Sequence, residues 1–224
     1  MKQNSYTFDS NWRLGENLIG DFTEEDIKKE PQFFSSDGRY AYKQGGPITR
    51  SFFDAFFIET IANASVPAPE HDKNIIFDSR VHMLMPGWYP CIPGWHHDDI
   101  PRPNNGQPDY DNPEYLSQHV CALVNGDICP TEFILDQVTL PAVEEGKTIY
   151  SEWDKALQTM PVVRADAPSN RLIFFDWQTF HRGTKAVKGG WRWFGRLSWN
   201  TNRKFKNEIR TQTQVYLEAV NEGW

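Results

Sequence analysis

The run Trp95-His96-His97-Asp98-Asp99, answered far downstream by Phe180-His181-Arg182-Gly183, decides how this chain reads. Two imidazoles and one carboxylate make up a facial triad, the ligand set that grips one side of a ferrous ion and leaves the other side open. On a strand, residues two apart point to the same face, so a His and an Asp at that spacing reach one ion together. The run contains the spacing twice, as His96 with Asp98 and as His97 with Asp99. The two pairs face opposite ways along a strand, and only one can serve. Taken alone, the same letters also describe an acidic surface loop that binds nothing.

The residues beyond the distal histidine narrow the choice. Gly189-Gly190 is a turn signal, and Trp191-Arg192-Trp193-Phe194-Gly195-Arg196-Leu197-Ser198-Trp199 reads as a strand. Arg192 and Arg196 are four residues apart and so lie on one face of it. An arginine turned into a core is costly unless it meets an anion, and its planar fork matches a carboxylate with two bonds. A metal site with such an arginine about one hairpin away is what a dicarboxylic co-substrate needs.

With these residues in hand, the sequence resembles the Fe(II)/2-oxoglutarate-dependent oxygenases, in particular the phytanoyl-CoA hydroxylase-like branch. The resemblance rests on Gly94-Trp95-His96-His97-Asp98, on Pro130-Thr131-Glu132-Phe133, and on Arg171-Leu172-Ile173-Phe174-Phe175-Asp176 leading into Phe180-His181-Arg182-Gly183, over roughly residues 80 to 200. It implies His96, Asp98 and His181 as iron ligands and catalytic centre, because a Trp often precedes the first ligand in that branch. It implies Arg192 as the anchor of the 2-oxoglutarate C5 carboxylate, with Thr131 adding a hydrogen bond. An Arg-x-x-x-Arg pattern at this place also looks like taurine dioxygenase, which would set Arg196 nearer the metal and the substrate acid. Arg196-Leu197-Ser198 equally mimics the Arg-x-Ser signature of another branch, so the anchor is Arg192 or Arg196. The implied activity is a dioxygenase using Fe(II), 2-oxoglutarate and O₂ to hydroxylate a small organic substrate with release of succinate and CO₂. The alternatives are a nucleic-acid or peptide modifying oxygenase of the same superfamily and a non-catalytic cupin-like metal-binding protein.

Composition fits that picture. The 224 residues suit one oxygenase domain, with a helical support over 1–70, a core over 75–200 and a tail over 201–224. A formal charge of −7 argues against general nucleic-acid binding, which needs a basic face. Cys91, Cys121 and Cys129 form no even framework and no secretory leader is evident, which points to reduced thiols in the cytoplasm. Cys91, beside the iron run, is an oxidation candidate as well as a packing residue. No apolar run reaches the length of a membrane span.

Along the chain, Asp21 to Lys29 opens with a capping residue and runs from acids to bases, as a short helix prefers. Phe52, Phe53, Phe56, Phe57 and Ile61 recur near 3.6 residues within a second helix over Thr49 to Asn63, a stripe suited to packing on a sheet. From Ile75 onward the period shifts toward two. Expected strands are Ile75–Met85, Gly94–Asp98, His119–Val124, Thr131–Leu135, Val162–Ala165, Arg171–Asp176, Thr179–Arg182 and Trp191–Asn200, with a short helix over Thr148–Met160. The fold class is therefore mainly β with peripheral helices around a double-stranded β-helix, a jelly-roll or cupin-like core. The Pro- and Asn-rich stretch between Asp99 and His119 is a candidate substrate lid. His71, His82 and His119 are candidates for hydrogen-bonding a ligand rather than for ligation. Trp95, Trp177, Trp191, Trp193 and Trp199 are expected to crowd the site, as core filling or as a shield against water.

Overall fold

The computed structural model describes residues 4–62, 75–102, 106–111 and 116–217. In chain order the elements are β1 (Ser5–Phe8), β2 (Arg13–Asn17), α1 (Glu24–Lys29), β3 (Phe33–Phe34), β4 (Ser36–Asp37), α2 (Gly38–Gln44), α3 (Pro47–Ala62), β5 (Ile76–Leu84), β6 (Gln118–Val124), β7 (Thr131–Ile134), β8 (Val138–Pro141), α4 (Ile149–Thr159), β9 (Arg164–Asp166), β10 (Arg171–Asp176), β11 (His181–Gly183), β12 (Gly190–Trp199) and β13 (Glu208–Ile209). The protein is mostly β with few helices. A six-stranded sheet has the order β2-β10-β6-β12-β5-β4, a three-stranded sheet the order β11-β7-β9, and β1-β8 and β13-β3 form pairs.

The long central strand β12 organises the core. Trp193, Leu197 and Trp199 project to one face, where they meet Phe52 and Phe56 of α3 together with Phe77, Val81, Val120 and Phe174 from neighbouring strands. Gly195 sits between the first two of these, and a Cβ there would fall inside the Trp193 indole, so glycine is required for the ring to lie flat on its own strand. The intervening residues of the sheet turn the other way, and Cys121, Leu123, Ile173, Phe175 and Phe194 pack against Phe133 of β7 in the smaller sheet. A third cluster gathers Trp95, Phe180 and Tyr110 with Tyr150 and Trp153 of α4.

The helices start where local chemistry favours it. Thr23 and Asp26 form a capping box at α1, and the buried Glu30 carboxylate accepts hydrogen bonds from the Ile48 amide at 2.6 Å and the Thr49 hydroxyl at 2.7 Å at the first turn of α3. Phe52, Phe53 and Phe56 are buried as the stripe implies, whereas Phe57 and Ile61 face outward.

Two expectations are corrected. The first third is not simply helical: β1 and β2 were unforeseen, and β2 joins the edge of the main sheet by pairing with β10. Gly94–Asp98 is not a strand either. Gly94 and Asp99 both have positive φ, so the segment turns at each end, and its ladder contact is a single antiparallel bridge between His96 and His181.

Candidate metal centre

That bridge builds the site. The His96 amide donates to the His181 carbonyl at 3.1 Å and the reverse bond is 3.2 Å, while β11 is held from its other side by β7, with His181 opposite Phe133. The two rings are thereby fixed with centroids 4.6 Å apart. Asp98, two residues beyond His96, completes the group: one ligand atom from each of His96, Asp98 and His181 lies within 4.8 Å of the others. Nε2 of His181 is 2.9 Å from Oδ2 of Asp98. For bonds of about 2.1 Å to one ion, donors at right angles lie about 3 Å apart.

The imidazoles are prepared for ligation. Nδ1 of His96 lies 2.9 Å from the Gly94 carbonyl and Nδ1 of His181 lies 3.1 Å from the Thr179 carbonyl, so each donates a proton there and turns a bare Nε2 inward. Burial holds both rings neutral, His181 with its pKa pushed down to about 4 and His96 well below the imidazole range, helped by the neighbouring His181. A neutral ring is the form that binds a metal.

His97 and Asp99 part company. The His97 ring packs on Phe180 with centroids 3.7 Å apart and its Nδ1 is 2.8 Å from the Tyr110 hydroxyl, whereas Asp99 faces Arg203. Two side chains of α4 pin the run between the turns. Asp154 accepts the Trp95 amide proton at 2.9 Å, and the Tyr150 hydroxyl donates to the His97 carbonyl at 2.9 Å. The Tyr150 hydroxyl also lies 2.9 Å from that of Tyr110. These clamps were invisible in the sequence because nothing local in α4 marks which of its residues face the run.

A cavity of about 550 Å³ opens over the three residues. Its floor is one face of β12 and β5, where register sets Arg192 opposite His82, Phe194 opposite Arg80, and Arg196 opposite Asp78. Arg196 makes an ion pair with Asp98. Arg192 is 2 % exposed, donates to the Thr131 hydroxyl at 3.0 Å, and has no carboxylate partner among the described residues. Its Nε is buried with no partner, and burial pulls its pKa down.

The remaining expectations divide. None of Trp95, Trp177, Trp191, Trp193 and Trp199 lines the cavity, which corrects the crowding expected of them. Strand alternation explains it: Trp193 and Trp199 take the helix-facing side that Arg192 and Arg196 leave, and Trp95 packs between Arg182 and Arg164. His82 lines the cavity, while His119 lies 2.8 Å from the Ser198 hydroxyl and 3.1 Å from that of Ser117, outside the metal group. His71 lies outside the described residues. So do residues 103–105 and 112–115 of the expected lid, whose described Ile100 and Tyr110 are buried in the core beside α4. Cys91 lines the cavity at Gly183, where a Cβ would meet its sulfur. Among the described residues no helix is long and apolar enough to cross a membrane.

No family model matches the chain, and no curated protein matches it significantly. Among solved structures it is similar to EvdMO1, at 13% identity over 87% of this chain and 48% of that one, with a TM-score of 0.45. The chain thus spans about half the length of EvdMO1. It is also similar to SnoK, described as a non-haem α-ketoglutarate-dependent carbocyclase from nogalamycin biosynthesis, at 11% identity over 89% of this chain and 80% of that one, with a TM-score of 0.42. The iron-bound HygX of Streptomyces hygroscopicus has 6% identity over 88% of this chain and 84% of that one, with a TM-score of 0.43.

Proposed function

We propose that this protein is a non-haem Fe(II)- and 2-oxoglutarate-dependent dioxygenase that hydroxylates a small organic substrate, releasing succinate and CO₂. The observation that carries the reading is the Arg192 guanidinium, buried without a carboxylate partner among the described residues on the wall of the cavity that contains His96, Asp98 and His181. A triad alone suits a metal-binding protein without turnover. A triad sharing its cavity with an uncompensated buried cation suits a metal plus an anionic co-substrate.

The residues fit both groups. His96 and His181 offer neutral Nε2 atoms and Asp98 a carboxylate, the hard and borderline donor set suited to ferrous iron. Arg196, paired with Asp98, orients that carboxylate and offsets part of its charge. Arg192 presents its fork toward the cavity. Since the Thr131 hydroxyl accepts from Arg192, its own proton remains free to be donated to the same carboxylate. These contacts support reading Arg192 as the C5 anchor, with Arg196 at the metal end. Bound iron and 2-oxoglutarate supply the oxidation, with O₂ as oxidant, and the chain supplies position, charge and partial exclusion of water. We further read residues 1–224 as one oxygenase domain, with the two facing sheets as its double-stranded β-helix core. The size of the cavity favours a small molecule over a polymer.

Anaerobic loading with Fe(II) and 2-oxoglutarate, followed by exposure to O₂, tests the proposal. The expected result is slow formation of succinate even without the primary substrate, lost in His181→Ala. Full succinate formation in that variant would reject the assignment.

A further inference from the structure

We infer that the cavity holds a second oxyanion site, formed by Arg80 of β5 and Arg210 beside Phe34 of β3, and that the primary substrate is a small organic acid whose acidic group docks there. The inference rests on the co-substrate reading above, because it takes Arg192 as engaged by 2-oxoglutarate.

Cations outnumber carboxylates on the cavity wall. Arg80, Arg102, Arg192, Arg196, Arg203 and Arg210 face only Asp78, Asp98 and Asp99. All three carboxylates are already engaged: Asp98 with Arg196, Asp78 with Arg203 at 2.7 Å, and Asp99 with the same guanidinium at 3.6 Å. With Arg192 assigned to the co-substrate, three guanidiniums remain; Arg102 donates to the Gly106 carbonyl at 2.9 Å and stacks over the Tyr150 ring at 5.5 Å, which leaves Arg80 and Arg210. The Arg80 side chain, on a strand whose backbone pairs with β12, makes no hydrogen bond or ion pair with any described residue. Arg210 stacks over the Phe34 ring at 4.2 Å, has no ion pair among the described residues, and has a buried Nε without a partner. The like charge of Arg80 is felt at Arg210, second only to burial in lowering its pKa.

The placement suits a substrate. Arg80 stands opposite Phe194, two residues along β5 from Asp78 and therefore about 7 Å from the rung that carries Arg196. β3 lies alongside, tied down by the Phe33 amide donating to the Ser79 hydroxyl at 2.9 Å, which brings Phe34 to the cavity edge. An acid docked on Arg80 and Arg210 would lay its carbon skeleton against Phe34, Phe194, Ile92 and Ile100, all of which line the same cavity as the triad. Two neighbouring guanidiniums repel one another unless an anion lies between them, and their forks match carboxylate, sulfonate and phosphate alike.

The test is anaerobic calorimetry on protein saturated with Fe(II) and 2-oxoglutarate, using hexanoate, hexanesulfonate, hexyl phosphate and neutral hexanamide as probes. At least one acid is expected to bind about tenfold or more tightly than hexanamide, and the ranking of the three identifies the preferred oxyanion. In Arg80→Gln and in Arg210→Gln that preference is expected to shrink to within about threefold. Equal binding of hexanamide and all three acids by the parent protein, or survival of the preference in either variant, would overturn the inference. The charge-transfer band of iron-bound 2-oxoglutarate is recorded on the same samples. A missing band with intact acid discrimination faults the co-substrate reading alone, and a normal band without discrimination faults this inference alone.

Discussion

Arg192 and Arg196 carry the same charge four residues apart on β12, yet they stand in opposite circumstances. Arg196 has Asp98 as its partner, while among the described residues the hydrogen-bond partner of Arg192 is the Thr131 hydroxyl, with no carboxylate. Arg192→Lys keeps the charge and loses the fork, so the dissociation constant for 2-oxoglutarate is expected to rise about ten- to a thousandfold. Arg196→Lys is expected to weaken Fe(II) binding more than 2-oxoglutarate binding, because it disturbs Asp98, the proposed carboxylate ligand; parallel titrations of the two variants separate these outcomes. His82 supports a different prediction. Burial, with the charges of Arg192 and Arg80, lowers its pKa from 6.5 to about 3. The Pro90 and Gln214 backbone lies near the ring, but neither ring nitrogen closes a hydrogen bond of normal geometry. The unfolded chain therefore binds a proton that the folded protein refuses between those two values. The stability contribution of a neutral His82 is complete above the unfolded pKa and is lost as pH falls toward the folded one, at up to about tenfold in the folding constant per pH unit. Denaturant unfolding at pH 7 and pH 5 is expected to show a shallower loss for His82→Phe than for the parent, and equal losses would contradict the argument.

At the scale of elements, the legible parts were those whose pattern is local. The runs of strand-forming residues in β5, β10 and β12 and the apolar stripe of α3 announce themselves, because residue preference over a short run and a stripe at helical period are both local signals. β10 was read with its observed bounds, and α4 within a residue at each end. β2 escaped because Arg-Leu-Gly-Glu-Asn has weak strand preference, and pairing with β10 decides its conformation. The His96 run was misread as a strand, although the His-x-Asp spacing survives: turns at both ends and clamps from α4 now hold it. Removing one clamp tests this account. Tyr150→Phe leaves the buried His97 carbonyl without its donor, at a cost of about 1–3 kcal/mol, and is expected to weaken Fe(II) binding by loosening His96. Urea midpoints and iron titrations check the two effects; unchanged iron affinity would show that the bridge to β11 suffices.

For the whole molecule, the two faces of the main sheet divide the labour. One face packs on α3 and is wholly apolar at Trp193, Leu197 and Trp199, while the other places Arg192, Arg196, Asp78 and His82 around a cavity. Which residues meet across that cavity was only partly readable. The triad was readable from its spacing, but Arg80, Arg203 and Arg210 come from separate segments that only the tertiary fold unites. A metal that binds only the folded chain must stabilise it, by about 2.7 kcal/mol at a hundredfold excess over the dissociation constant. A rise in unfolding temperature with Fe(II), reversed by chelator and absent in His181→Ala, is therefore expected. The most direct test of the central claim is anaerobic titration of the Fe(II)-loaded protein with 2-oxoglutarate, following the charge-transfer band. The band is expected to saturate at one equivalent in the parent and in Asp99→Ala, and to be absent in Asp98→Ala and His181→Ala. No band in the parent, or an undiminished band in His181→Ala, would contradict the account.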